Sequence, residues 1–158
     1  MNEIRLRKAT IGDLEQLLVF EQDLIEFERP FDPTIKPGHV NYYDLKEMLG
    51  VSNIEVAVAE VDNKIIACGY ARIDKSKSFL KHDNHAYLGF MYVLPEYRGK
   101  GINEQIIVYL QNWAAASNIN EFRLEVYNGN NSAIKAYEKI GFSGHSLEMR
   151  FNLQDQKK

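Results

Sequence analysis

The segment Met91-Tyr92-Val93-Leu94-Pro95-Glu96-Tyr97-Arg98-Gly99-Lys100-Gly101-Ile102-Asn103 decides how the chain is read. The aromatic and apolar run from Ala86 to Val93 predicts a central strand, which Leu94-Pro95 stops. A turn with two glycines and two cations follows, and a long helical pattern begins at Ile102. The first N–H groups of a helix have no partner within it, and its dipole adds partial positive charge there. Gly99 and Gly101 let a ligand come close to the backbone, while Arg98 and Lys100 add formal charge. Such an entry is how a protein seats a pyrophosphate, the bland alternative being a basic helix start that holds nothing. Two other phosphate loops do not fit. A dinucleotide fingerprint needs a third glycine where Ile102-Asn103-Glu104 stands, and a triphosphate loop needs Ser or Thr where Gly101 stands.

Outward from this segment the pattern is equally regular. Ile4 to Lys8 predicts a short first strand, and Thr10-Ile11-Gly12-Asp13 a capping-box variant opening a helix to about Phe27. Arg29 to Gly38 holds three of the four prolines and is a loop, followed by a short helix from about Asn41 to Leu49. Ile54–Val61 and Lys64–Asp74 form a hairpin joined at Asp62-Asn63, and Lys75–Asn84 is a basic connecting loop. Ile106, Ile107, Leu110, Trp113 and Ala114 stripe a helix from Ile102 to Ser117. Glu121–Tyr127 predicts a strand, Ser132–Ile140 a helix closed by Gly141, and Leu147–Leu153 a last strand before a polar tail from about Gln154. Three consecutive strands and then a strand–helix–strand crossover predict a mixed sheet in an α+β fold, against a doubly wound parallel one.

The 158 residues suit a single domain spanning 1–158, with 45% hydrophobic and 26% charged residues. A net charge of −3 lacks the basic footprint of a dedicated nucleic-acid binder, and no nucleic-acid partner is expected. One cysteine, Cys68, in the apolar run Ile65–Cys68, forms neither an internal disulfide nor a thiolate metal site, and no metal is expected. The charged N-terminus has no apolar leader and no stretch is long enough to span a bilayer, so a cytoplasmic location off the membrane is expected.

Val93-x-Pro95-x-Tyr97-Arg98-Gly99-Lys100-Gly101-Ile102 resembles the acetyl-CoA signature of the GNAT N-acetyltransferase superfamily. Asn130-x-x-Ala133-Ile134-x-x-Tyr137-Glu138-Lys139-x-Gly141-Phe142 is similar to a second block of that family, in the expected order and separation. The element order matches that fold over nearly the whole chain. The resemblance implies a mixed, mostly antiparallel sheet flanked by about four helices, with two strands splaying apart to admit acetyl-CoA. It implies that the N–H groups of Arg98, Gly99, Lys100, Gly101, Ile102 and Asn103 hold the pyrophosphate. Met91, Tyr92 and Val93 would line the pantetheine arm, and Asn130 would hydrogen-bond the pantetheine or phosphate side. Tyr137 would be the general acid that protonates the departing thiolate, the bland alternative being a packed helix aromatic. Asn103 departs from the signature, which prefers Gly or Ala there.

The activity implied is acetyl transfer from acetyl-CoA to a primary amine of a small molecule or peptide by direct attack in a ternary complex. The alternative is a catalytically degenerate or regulatory CoA-binding module. No carboxylate lies in Tyr87–Tyr92, so the general base stays open among His82, Asp83, His85, Glu125 and a water chain. On the loop from Glu26 to Tyr43, Glu26 and Glu28 would attract a cationic amine and Phe31, Tyr42 and Tyr43 flank its carbon chain. The same aromatics could equally anchor the loop to the sheet. Glu28, Phe31 and Tyr43 are the substrate-binding candidates. The aromatic strands offer surface for a homodimer without requiring one.

Overall fold

A computed structural model describes residues 2–157. Their contacts fall into two compact units, one running to Tyr127 and one beginning at Asn128. The first unit is built on a five-stranded sheet: β1 (Arg5–Lys8), β2 (Ile54–Val61), β3 (Lys64–Lys75), β4 (Asn84–Val93) and β5 (Phe122–Arg123), in that spatial order. The first four strands are antiparallel and β5 runs parallel to β4, so the sheet is mixed as the crossover pattern predicts. The β2–β3 turn forms at Asp62 and Asn63, with φ of 50° and 62°. Two successive left-handed residues are what a hairpin turn of matching twist demands, and Asp and Asn tolerate them best among non-glycines.

Helices cover both faces of the sheet. Leu17, Phe20 and Leu24 of α1 (Leu14–Glu28) and Leu45 of α2 (Leu45–Met48) join Val56, Val58, Cys68, Tyr70, Phe90 and Tyr92 in one core. Cys68 and Tyr70 face that core, so Gly69 between them faces the other way. A Cβ on Gly69 would lie 2.9 Å from Ile106 of α3 (Ile102–Ala115) and 2.6 Å from Met91 Sδ. The missing side chain thus lets α3 and Met91 lie directly on β3. The predicted 41–49 helix shrinks to α2, because the N–H groups of Tyr42 and Tyr43 turn inward to Glu21 and Asp44 then caps Glu47.

Two strand expectations are corrected. Glu121–Tyr127 is paired only over Phe122–Arg123, opposite Ala86 and Tyr87, because the chain beyond leaves β4. In the second unit, Leu147–Leu153 is not a strand: Leu147, Met149, Phe151 and Leu153 alternate but are exposed, and only a 3-10 turn follows at Leu153–Lys157. Alternation describes a surface, whereas a strand also needs a neighbouring edge to bond. In that unit the helix α4 (Asn131–Lys139) closes as expected at Gly141, whose φ is 107°. The Gly141 N–H donates to Glu138 O and the Phe142 N–H to Tyr137 O, both at 3.0 Å, the two bonds of a Schellman ending.

Gly89 is tested directly by stability. A Cβ there would sit 2.7 Å from the ring of Tyr70, which is buried in the first core. Gly89→Ala should cost about 1–3 kcal/mol by overpacking. Gly144→Ala, with open space around it, should shift the thermal midpoint by less than a tenth as much.

Candidate active site

β4 is bonded along one side only for most of its length. Leu94 donates to Ile66 O, and Cys68 stands opposite Tyr92, so Tyr92 and Leu94 turn their backbone groups to β3. Strand geometry then turns those of Val93 the other way, to a side where β5 pairing has ended at Tyr87. A bulge falls between, where Gly69 alone opposes two β4 residues and Phe90 takes a φ of 53°. The expected splay is therefore present, and Met91 and Val93 lie on the open stretch. Tyr92 turns its backbone to β3, its side chain is buried, and its hydroxyl donates to Asp23 Oδ2 at 3.3 Å.

Beyond β4 the chain makes a 3-10 turn at Pro95–Tyr97 and enters α3 through Gly99 and Gly101, both at φ 75°. That left-handed conformation favours glycine, and nothing lies within 4 Å of where either Cβ would be. Gly101 is the N-cap and offers no side-chain oxygen, so the first N–H groups of α3 face open space uncapped. Arg98 does not reach into this space. Its Nε donates to Val93 O at 2.9 Å and its guanidinium lies 5.5 and 5.6 Å from the ring centres of Phe27 and Tyr92. Lys100 lies 5.3 Å over the Tyr97 ring. The Ile102 side chain is buried, so only its N–H is available. Asn103 Oδ1 is buried without a hydrogen-bond partner in the first turn, an orphan acceptor whose amide turned end for end would offer donors instead.

The loop after α1 is fastened at three points. Arg29 donates to Lys36 O and Gly38 O, each at 2.6 Å, Gln22 donates to Val40 O at 2.8 Å, and Glu21 receives the N–H groups of Tyr42 and Tyr43. Arg29 also takes Glu26 at 2.8 Å, which removes that residue as a free acceptor for an amine. Glu28, Phe31 and Tyr43 do gather on one side. Phe31 stacks on Tyr127 at 6.0 Å, and Tyr43 packs against Tyr42, Tyr70 and Phe90. Burial pushes the Glu28 carboxyl up to about 7. Tyr42 is raised by burial first and Glu28 second; Tyr43 by burial, then Tyr70, then Glu28.

The other base candidates are dispersed. His85, the second residue of β4, has Nδ1 2.8 Å from Ser76 Oγ, and its pKa is lowered by burial and then by Arg123. Arg123 can only donate, so His82 Nε2, 2.8 Å away, is the acceptor. Both histidines sit at the end of β4 opposite the glycine loop, His85 six residues or about 20 Å from Met91 at a strand's rise. Asp83 lies in the same loop, while Glu125 is exposed near enough to raise Tyr87 after burial has done so. In the second unit, Asn130 Oδ1 caps α4 by accepting from the Ala133 N–H, which leaves its Nδ2 for a ligand. Tyr137 packs edge-on against Phe142 at 6.0 Å. Among the described residues no three metal-ligating side chains meet, and no helix is long and apolar enough to cross a membrane.

The acetyltransferase (GNAT) family model matches residues 21–142. The chain belongs to this family. It is 29% identical to the bovine thialysine N-epsilon-acetyltransferase over 147 residues, 87% of this chain and 83% of that one. The mouse enzyme of that name is 37% identical over 57 residues, which span only 34% of its length and 36% of this chain. Among solved structures, a predicted acetyltransferase from Clostridium acetobutylicum with acetyl-CoA superposes with a TM-score of 0.73 at 22% identity, covering 99% and 100% of the two chains. AAC(6')-Iy in complex with a bisubstrate analogue gives 0.78 at 19% identity, covering 96% and 98%. At those identities the likeness shows the fold.

Within this GNAT chain the residue that sequence reasoning missed is Glu21. It is fully buried, and its one sequence signal is a charge on the apolar stripe Leu17-Phe20-Leu24-Ile25 of α1. Its Oε2 accepts from Tyr42 and Tyr43 at 3.0 and 2.9 Å, which sets where the aromatic loop meets the sheet. Glu21→Ala should leave both N–H groups without an acceptor and cost about 1–3 kcal/mol for each. Hydrogen exchange at the two amides should speed by more than about tenfold, and Glu21→Gln should lose less.

Proposed function

We propose that this chain is an acetyl-CoA-dependent N-acetyltransferase acting on a primary amine of a small molecule or peptide, by direct attack in a ternary complex. The observation that carries the reading is the uncapped start of α3, its glycines open to solvent, set beside the unpaired stretch of β4. The N–H groups from Gly99 to Asn103 suit a pyrophosphate, since helix-end donors and dipole both favour an anion. The open edge at Met91 and Val93 suits an amide-bearing arm, because a free strand edge offers alternating donors and acceptors. Val93 O is held by Arg98, so Val93 would offer its N–H. Acetyl-CoA supplies an activated acyl group as a thioester.

Direct attack is supported by the cysteine. Cys68 is buried, burial raises its thiol, and its Sγ lies against Phe90 O, so it has no thiolate to offer an acyl group. Tyr137 is the phenol assigned to protonate the leaving thiolate, with a hydroxyl of comparable basicity. A primary amine as acceptor is supported by the relatives, one named for the ε-nitrogen of thialysine and one bound to an acetylneamine analogue.

Calorimetry tests the reading. Wild type should bind acetyl-CoA, and Gly101→Asp should bind at least about 100-fold more weakly, by strain at φ 75° and by charge. Tyr137→Phe should lower kcat by about 10²–10⁴-fold with little change in the KM for acetyl-CoA. Tight binding with no thiol release on any amine would favour a CoA-binding module instead.

A further inference from the structure

Glu28 is placed at a cost to the fold that nothing in the structure offsets. It is the last residue of α1, where the helix dipole disfavours a carboxylate. It is half-buried, and among the described residues no hydrogen bond or ion pair engages its carboxylate. The nearest basic residue in sequence, Arg29, is spent on Glu26 and on two loop carbonyls. Arg72 is spent on Asp74, and Arg98 on Val93 O between the rings of Phe27 and Tyr92. The titratable groups that feel Glu28 are Tyr42 and Tyr43 on the fastened loop and Tyr87 on β4. Tyr87, one of the groups that feel Glu28, is the last β4 residue paired with β5, where the strands part. An unpartnered anion coupled to these tyrosines lacks one thing, a cation. Rings attract an ammonium through their faces, and a carboxylate gives it an acceptor.

We propose that Glu28 is the catalytic residue that takes the proton an acceptor ammonium must lose before it attacks the acyl donor. The inference rests on the acetyltransferase reading above. One N–H bond of the ammonium breaks, an O–H bond forms on Glu28, and the electron pair stays on nitrogen. That pair bonds to the thioester carbon as its C–S bond breaks. The second proton from nitrogen ends on the departing thiolate, and Glu28 returns its proton to water. Overall one ammonium and one thioester give one amide, one thiol and one proton. A carboxyl at about 7 matches such work at neutral pH. Its sign is definite: below that value Glu28 is protonated and cannot accept, so turnover rises with pH through it.

The test is acetylation of a panel of aliphatic primary amines by wild type, Glu28→Gln and Glu28→Asp between about pH 5.5 and 9.5, with acetyl-CoA calorimetry on each. Wild-type kcat/KM should rise with a midpoint near 7. Glu28→Gln should lose about 10²–10⁴-fold at neutral pH while binding acetyl-CoA within about twofold of wild type. Its remaining pH dependence should follow the amine's own ionisation near about 10, and Glu28→Asp should restore part of the neutral-pH rate. A Glu28→Gln enzyme within about threefold of wild type and with the same midpoint overturns the assignment and leaves the acetyltransferase reading standing. Wild type that binds acetyl-CoA but acetylates no amine overturns both. Titration of the Glu28 carboxyl by carbon NMR is independent of turnover, and a midpoint near the ordinary value of about 4.3 would also overturn the assignment.

Discussion

β4 cannot satisfy both of its edges with protein. It lies between β3, which bonds it along its length, and β5, which meets it only at Ala86 and Tyr87. Backbone N–H and C=O groups on the remaining edge must find other partners, as every such group away from bulk water must. The bulge at Phe90 and the departure of the chain after Arg123 keep β5 from closing the gap. Within the first unit, the residues assigned to function border that stretch. The glycine loop follows directly from its end, the fastened aromatic loop packs on Phe90, and Tyr87 marks its beginning. The strain of a left-handed, fully packed phenylalanine is tolerated because the surrounding core leaves its ring no other place.

What was legible in the sequence is what local chemistry dictates. Pro95, Gly99 and Gly101 announce a stop, a left-handed turn and a helix start without reference to the rest of the chain, and α3 begins at Ile102 as expected. Gly141 ends α4 for the same local reason. The Asp62-Asn63 hairpin was readable because few residue pairs accept two positive φ angles in succession. The aromatic character of the loop after α1 was visible as well, and Phe31 and Tyr43 do gather there with Glu28.

The parts that were not legible depend on partners distant in sequence. Whether Leu147–Leu153 is a strand depends on an edge it must find, and its alternation carries no information about that edge. The length of β5 depends on where β4 is, and β4 bends away at a bulge that its composition does not announce. Strand parity gives the backbone of Tyr92 to β3 and those of Met91 and Val93 to the open side, a division that depends on the register of β3. Glu26 and Glu28 looked alike in sequence. Arg29 distinguishes them by taking the first and leaving the second.

That division of labour explains why Glu28 carries a shifted carboxyl in a region dense with charge. Glu21 is spent on two backbone amides and Glu26 on a guanidinium, and both serve to hold the loop still. A loop so fastened keeps Tyr42 and Tyr43 against Glu28 instead of letting the carboxylate swing into water, where its pKa would relax to that of an ordinary glutamate. The desolvation that raises Glu28 is therefore maintained by Glu21, Gln22 and Arg29, none of which need touch a reacting atom. The burial that raises the Glu28 carboxyl also makes a cation more valuable there, because a desolvated carboxylate without a partner gains most from one.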